Sequence, residues 1–319
     1  MRKKSRRKRS RVVPLLVLVA VCAAVVYIGW RLFAPSISHR PLSVSELTPA
    51  PAATPPATIA PPTPTPVASP APAVTPAATP TPVFSPLPVR TPGAGAPRLA
   101  LIVDDCGQWI DTERGFLALG IPITLSVLPD VPYTGTIARE ADAAGKGVML
   151  HLPMETISGL NPGPGKVTTE MTDAQIEAQV DADLAQVPEA KGVNNHEGSK
   201  ASADPRVMRD VVAALSHHGD LFFIDSRTSP NSVGEQTALA AGLPAASRDV
   251  FLDNRADVAY TESQLREAAR IARRTGSAIA IGHPRPTTLD AVKAMIPELQ
   301  ADGIVFVLAR DLTTSSPPR

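Results

Sequence analysis

The chain has 319 residues, with 31 Lys plus Arg against 30 Asp plus Glu and only two cysteines. That length allows a sizeable core, while cysteines at positions 22 and 106 alone exclude an intradomain disulfide framework and a cysteine-based zinc site. The near-neutral total is unevenly spread: residues 2–11 hold eight Lys or Arg, and residues 98–319 hold 20 Lys plus Arg against 29 Asp plus Glu, an acidic balance that disfavours nucleic acid as a partner.

Residues 1–11 read as a basic cytoplasmic tip and residues 12–33 as a transmembrane anchor. Val12 to Trp30 is an apolar run of 19, about the length that crosses a bilayer as a helix. The positive-inside rule keeps the tip in the cytoplasm. The expected location is therefore the cytoplasmic (inner) membrane, single-pass, with the rest of the chain on the periplasmic or extracytoplasmic side. A cleaved signal peptide is the rival, but the run exceeds the usual apolar core and no small-x-small site follows. Cys22 invites a lipoprotein reading, against which Val21 stands where a small residue is needed. Residues 34–97 read as a disordered linker. Pro35 to Pro97 contains 19 prolines in 63 residues, a composition suited to extended polyproline II at about 3.1 Å per residue, with a reach of about 200 Å.

Residues 98–312 then read as one α/β domain, with 313–319 a disordered tail. Apolar strand-like segments at 98–103, 121–128, 147–153, 192–196, 220–226, 248–253, 277–283 and 304–309 alternate with amphipathic helical ones at 172–187, 205–218, 261–275 and 287–302. Thr172 and Thr261 fit helix N-caps, and Gly219, Gly276 and Gly303 fit left-handed C-terminal caps. Seven or eight such units predict an irregular (β/α) barrel, with a doubly wound open sheet as the alternative. The strands repeatedly end in His or Asp: Asp104 and Asp105, His151, His196, Asp225 and His283. That pattern gathers acid, base and metal-ligand chemistry at the carboxyl edge of a parallel sheet.

The segments IVDDCG (102–107), LHLPME (150–155), GVNNHEGS (192–199), FFIDSRT (222–228), RDVFLD (248–253) and AIGHP (280–284) resemble the divergent polysaccharide deacetylase family, a branch of the NodB-like carbohydrate esterases. The resemblance covers residues 98 to 312 and none of the anchor or linker. It implies a NodB-type (β/α) barrel with Asp104 as catalytic base, Asp105 as metal ligand and His283 as general acid. The superfamily's pair of metal-binding histidines four residues apart is not intact: His151 is followed at that spacing by Glu155. His196 is the candidate for the missing imidazole, giving a divalent metal, zinc first, held by Asp105, His151 and His196. Glu155, Asn195, Asp225, Arg227, Arg248 and Asp249 are expected around these as orienting or substrate-contacting groups, with Glu155 also open as a fourth metal ligand.

The implied activity is hydrolysis of an acyl group, N-acetyl first, from an envelope glycan by a water activated at the metal. The alternative is a catalytically inactive glycan-binding or envelope-scaffolding protein on the same fold, and a third is hydrolysis of another amide or ester. Several residues keep two readings at this point. Asn194 and Asn195 either bind sugar hydroxyls or pin the loop carrying His196. Trp109 either stacks on a sugar or fills core. Cys106 is a small buried filler or a thiol near the site. His217 and His218 read as surface groups at a helix end.

Overall fold

The apolar run Leu99–Val103 and the acids after it form strand β1 (Arg98–Cys106) of a computed structural model that describes residues 95–315. The expected anchor and the linker up to residue 94 lie outside the described residues. Among the described residues no helix is long and apolar enough to cross a membrane. From β1 the chain runs through α1 (Ile110–Leu117), β2 (Thr124–Val127), α2 (Thr134–Ala143), β3 (Gly147–Met154), α3 (Asp173–Leu184) and β4 (Gly192–Glu197). It continues through α4 (Pro205–Ser216), β5 (Phe222–Asp225), α5 (Gly234–Ala240), β6 (Ala245–Ser247), β7 (Val250–Phe251) and α6 (Val258–Thr275). The last elements are β8 (Ser277–Gly282), α7 (Pro286–Ala301), β9 (Val305–Val307) and a 3₁₀ turn at Ala309–Leu312.

All strand pairs in the sheet are parallel. Their order is β6-β5-β4-β3-β2-β1-β8-β7, with β9 also on β1. This is the curled half-barrel form of the expected α/β architecture, and the sequential order is not that of a doubly wound sheet. The expected single strand at 248–253 is split in two. Arg248 donates its N–H to the Asp225 carbonyl at 3.0 Å and Asp249 to the Ile279 carbonyl at 2.9 Å, so this dipeptide crosses from one end of the curled sheet to the other.

Strand parity then assigns the two faces, since alternate side chains point to opposite sides. Leu99, Leu101, Val103, Val148, Leu150, Phe223, Ala278 and Ala280 join the core beneath the helices. Ala100, Ile102, Met149, Phe222, Ile224, Ile279 and Ile281 form a separate inner cluster. The 3₁₀ turn seals the amino-terminal end of that interior: Ala309 and Leu312 belong to the inner cluster, and the Ala309 N–H donates to Thr124 Oγ1 at 3.1 Å. Gly192 is required here because a Cβ on it would sit 2.5 Å from the Phe222 ring.

Local signals behave as expected with one correction. Thr172 caps α3 in a full capping box with Gln175, and Gly219, Gly276 and Gly303 are all left-handed. The cap of α6 is Asp257, which accepts from Tyr260 N, and not Thr261. Thr261 lies inside the helix and bonds back to the Asp257 carbonyl, a common use of a buried threonine. The ordered chain also runs past Leu312, because Thr314 exchanges both backbone hydrogen bonds with Ala245.

Candidate metal centre

The inner rows end in polar groups. Ala100 and Ile102 lead to Asp104, Met149 to His151, Gly192 to Asn194 and His196, Ile224 to Ser226, and Ile279 and Ile281 to His283. Each follows an inner-row position by two residues, so parity carries all of them to one end of the interior. Asp105 has the opposite parity. It joins them because its backbone is left-handed (φ 58) where the pairing of β1 with β2 shifts register. Glu197 (φ 52) and Arg227 (φ 48) repeat this conformation at the ends of β4 and β5. Non-glycine residues held there cost of order 1–3 kcal/mol each, so surrounding contacts must impose the geometry.

Asp105 Oδ1 lies 3.2 Å from His151 Nε2 and 2.9 Å from His196 Nδ1, and the two nitrogens are 3.1 Å apart. Donor atoms sharing a tetrahedral zinc ion at about 2.05 Å stand about 3.3 Å apart, so this triangle has the size a small cation needs. Asp105 Oδ1 is buried yet accepts no hydrogen bond of proper geometry. One carboxylate oxygen and two imidazole nitrogens thus lie within reach of one another, a donor set that fits a divalent cation. Burial opposes the charge on Asp105, but the adjoining imidazoles win and hold its carboxyl well below the usual range.

Asn194 organises the layer beneath. Its Nδ2 donates to Asp104 Oδ1 at 2.8 Å and to Ser226 Oγ at 3.1 Å, which leaves Oδ1 to accept from Ser126 Oγ and, at 2.8 Å, from His151 Nδ1. His151 therefore keeps its Nδ1 proton on Asn194 and turns Nε2 to the triangle, the nitrogen that would be free to ligate a cation once its own proton is lost. Burial works against the charged imidazole, but the Asp104 and Asp105 carboxylates and Asn194 raise its pKa. The other Asp104 oxygen, Oδ2, is 3.7 Å from that Nε2. Burial raises the Asp104 carboxyl above its usual range, against the lowering pull of His151, His283 and the Asn194 hydrogen bond.

His283 closes the site from β8. Its Nε2 is 3.7 Å from Asp105 Oδ2, while its Nδ1 is 2.9 Å from Asp253 Oδ1. Asp253 is fully buried, and its Oδ2 accepts from the His283 N–H at 2.8 Å and from Thr288 Oγ1 at 2.7 Å. Burial alone would lower the His283 pKa, but the Asp253 hydrogen bond and the nearby Asp105, Asp253 and Asp104 charges raise it. The Phe251 ring lies 5.2 Å from the imidazole and 5.1 Å under the Arg248 guanidinium.

A cavity of about 400 Å³ opens over these groups, lined among others by Asp104, Asp105, His151, His196, His283 and Arg227. Asn195 and Arg248 also line it, though both are largely engaged with backbone. Asn195 binds the Glu197 carbonyl and the Ser226 N–H, and Arg248 donates to the carbonyls of Ser226 and Arg227. Three expected neighbours are not in the cavity lining. Glu155 accepts from Thr169 and pairs with Lys200 at 2.7 Å, which with the other contacts lowers its pKa to about 2 against the effect of burial. Asp225 takes the N–H groups of Arg227 and Glu235 and the Ser232 hydroxyl. Asp249 accepts from the Ile279 N–H.

Trp109 is half exposed, beyond the triad on a loop whose three N–H groups are held by Glu113 Oε1, so it is not core. Cys106 is fully buried, its thiol pushed up by burial. His217 and His218 pair on the surface with Glu177 and Asp181. Two residues of the site lie outside the expected set: Asp253, to which the sequence assigns no role, and Asn194, which keeps two readings. The signal for Asn194 was its place two residues before His196 on an inner row. Asp253 closes the expected strand 248–253 as the other acids and histidines close theirs, so the strand-end pattern was the signal for it, although the observed strand is shortened to Val250–Phe251.

Comparison with known proteins places these features. The chain is 36% identical over 230 residues to the uncharacterized protein YibQ of Escherichia coli K12, covering 70% of this chain and 72% of that one. It is 35% identical over 205 residues to an uncharacterized protein of Haemophilus influenzae, covering 64% and 73%. The fold matches the crystal structure of an uncharacterized Agrobacterium tumefaciens protein with a TM-score of 0.65 at 24% identity, over 70% of this chain and 92% of that one. The family model of divergent polysaccharide deacetylases matches residues 101–313, a span that includes every group converging on the cavity, and the chain belongs to that family.

Proposed function

We propose that the chain is a metal-dependent hydrolase that removes acyl groups, N-acetyl first, from an envelope polysaccharide. The observation that carries this reading is the triangle of Asp105, His151 and His196 with a buried carboxylate, Asp104, and a carboxylate-backed imidazole, His283, on the same cavity. Binding alone has no use for an acid and a base together. A divalent cation held by the triangle would supply Lewis-acid polarisation of the acyl carbonyl and a lowered pKa for water. Asp104 Oδ2 takes the proton of the attacking water as its oxygen bonds to the acyl carbon. His283, held protonated by Asp253, passes the Nε2 proton to the sugar nitrogen as the carbon–nitrogen bond breaks. Asn194 keeps Asp104 and His151 in register for both tasks.

The test is metal content of the purified full-length chain by elemental analysis, together with acetate release from N-acetylated envelope glycans. The expectation is one divalent ion per chain, lost in Asp105→Ala and His151→Ala. Asp104→Asn should keep the metal and lose hydrolysis. A chain that takes up no metal after zinc reconstitution would overturn the hydrolase and leave the glycan-binding role. Placement outside the cytoplasmic membrane belongs to the same proposal and is supported by the basic tip and the apolar run. Protease added outside spheroplasts should digest the domain if that placement is right.

A further inference from the structure

Arg227 is built into the cavity wall at a cost. Its backbone is left-handed (φ 48), and both flanking peptides are clamped. Its N–H donates to the buried Asp225 at 2.8 Å, and its carbonyl accepts from Arg248 Nη2 at 3.1 Å. Asp225 spends its other oxygen on the Ser232 hydroxyl of the same loop and the Glu235 N–H in the first turn of α5. This framework over-determines where Arg227 starts from, yet among the described residues its guanidinium meets no carboxylate within 4.0 Å and donates no side-chain hydrogen bond that would account for it. Arg248 already holds the loop.

Asp104, Asp105 and His283 have their partners in the cavity without Arg227. Asp104 and Asp105 face the imidazoles and the cation position, and His283 is paired with Asp253. Glu197 lines the same cavity but forms no ion pair with Arg227. A partly buried guanidinium, aimed by a strained and doubly clamped backbone and left without a partner, is suited to a ligand anion in a two-point contact. We propose that Arg227 binds an anionic group, carboxylate or phosphate, on the glycan beside the acylated nitrogen, so that the substrate is an acidic amino-sugar polymer and not a neutral one. The inference rests on the hydrolase reading only for the glycan nature of the ligand. It also answers a problem of approach: a domain with net charge −9 over residues 98–319 repels an acidic polymer at long range and needs a local cation to hold one.

The experiment is calorimetric titration of the full-length chain, and of Arg227→Gln and Arg227→Lys, with three oligosaccharides of equal length. One is an N-acetylglucosamine oligomer, one alternates N-acetylglucosamine with N-acetylmuramic acid, and one is an N-acetylglucosamine oligomer bearing 6-phosphate. The wild-type chain should bind at least one acidic oligomer about tenfold more tightly than the neutral one, and that preference should weaken with salt. Arg227→Gln should abolish the preference and Arg227→Lys keep part of it, which separates loss of charge from loss of fold. Preference for the carboxylated or the phosphorylated oligomer alone identifies the anion. Equal affinity for all three, binding of none, or a loss in Arg227→Gln that strikes neutral and acidic oligomers alike would overturn the inference. Preference without acetate release would leave it standing and remove the hydrolase reading; release without preference would do the reverse.

Discussion

The carboxamide oxygen of Asn194 accepts the Nδ1 proton of His151 at 2.8 Å inside a contact sealed from water. The same amide donates to Asp104, so one side chain fixes the tautomer of a candidate metal ligand and the orientation of the candidate base. Replacing Asn194 by Ala strands Asp104, His151, Ser126 and Ser226 without a shared partner. The expected result is a 10–100-fold loss in zinc affinity and a stability loss of about 2 kcal/mol, read by competition with a chromophoric chelator and by urea unfolding. A loss of stability with unaltered zinc affinity would show that Asn194 only fills space.

Asp253 is expected to govern the protonation of His283. Burial pulls the imidazole pKa down, and the hydrogen bond and charge of Asp253 help pull it up. Asp253→Asn should therefore move the His283 titration downward, toward or below the ordinary value of about 6.5. In NMR titrations of the metal-free protein the His283 ring signal would then change at lower pH. Under the proposed hydrolysis, acetate release by the variant should fall by about 10²–10⁴ at neutral pH, the usual worth of a general acid. A His283 titration unmoved by the substitution would assign its raised pKa to Asp104 and Asp105 instead.

Most of this arrangement is present in the alternation of the strands. The inner row of β1 is Ala100, Ile102 and Asp104, and the same two-residue step from Met149 reaches His151 and from Ile281 reaches His283. One group escapes that logic, and two that obey it are easily overlooked. Asp105 points inward only because its peptide turns left-handed at a register shift. Asp253 follows a strand shortened to Val250–Phe251 by the crossing at Arg248 and Asp249. Asn194 carries no charge to draw notice, although its neighbour Asn195 occupies the opposite parity and serves the loop.

Glu155 tests whether spacing or geometry decides the ligand set. It stands four residues after His151, where a second histidine is expected, but its backbone is tied to Val167, Lys200 and Ala201 and its carboxylate to Thr169 and Lys200. Glu155→Gln should leave metal content unchanged and cost about 1 kcal/mol or less, because the Lys200 pair is largely exposed. His196→Ala should abolish stoichiometric metal. Elemental analysis of the two variants side by side decides the matter, and metal lost from Glu155→Gln would return that residue to the ligand set.

Asp183 on α3 carries a pH dependence of its own. It is fully buried; Oδ1 accepts from Gln179 at 2.9 Å and Oδ2 accepts nothing. Burial, with a smaller push from Asp130 and against the Gln179 hydrogen bond, raises its pKa to about 7. Between about pH 4 and pH 7 the folded chain keeps a proton that the unfolded chain has released, so this residue lowers stability as pH rises through that window and then adds a constant penalty. Asp183→Asn removes the ionisation at nearly constant shape. The variant should match the wild type near pH 4 and exceed it by about 4 kcal/mol near pH 8 in urea unfolding. A variant less stable than the wild type near pH 8 would mean that the carboxylate is ionised and favourably held in the fold, with its pKa depressed and not raised.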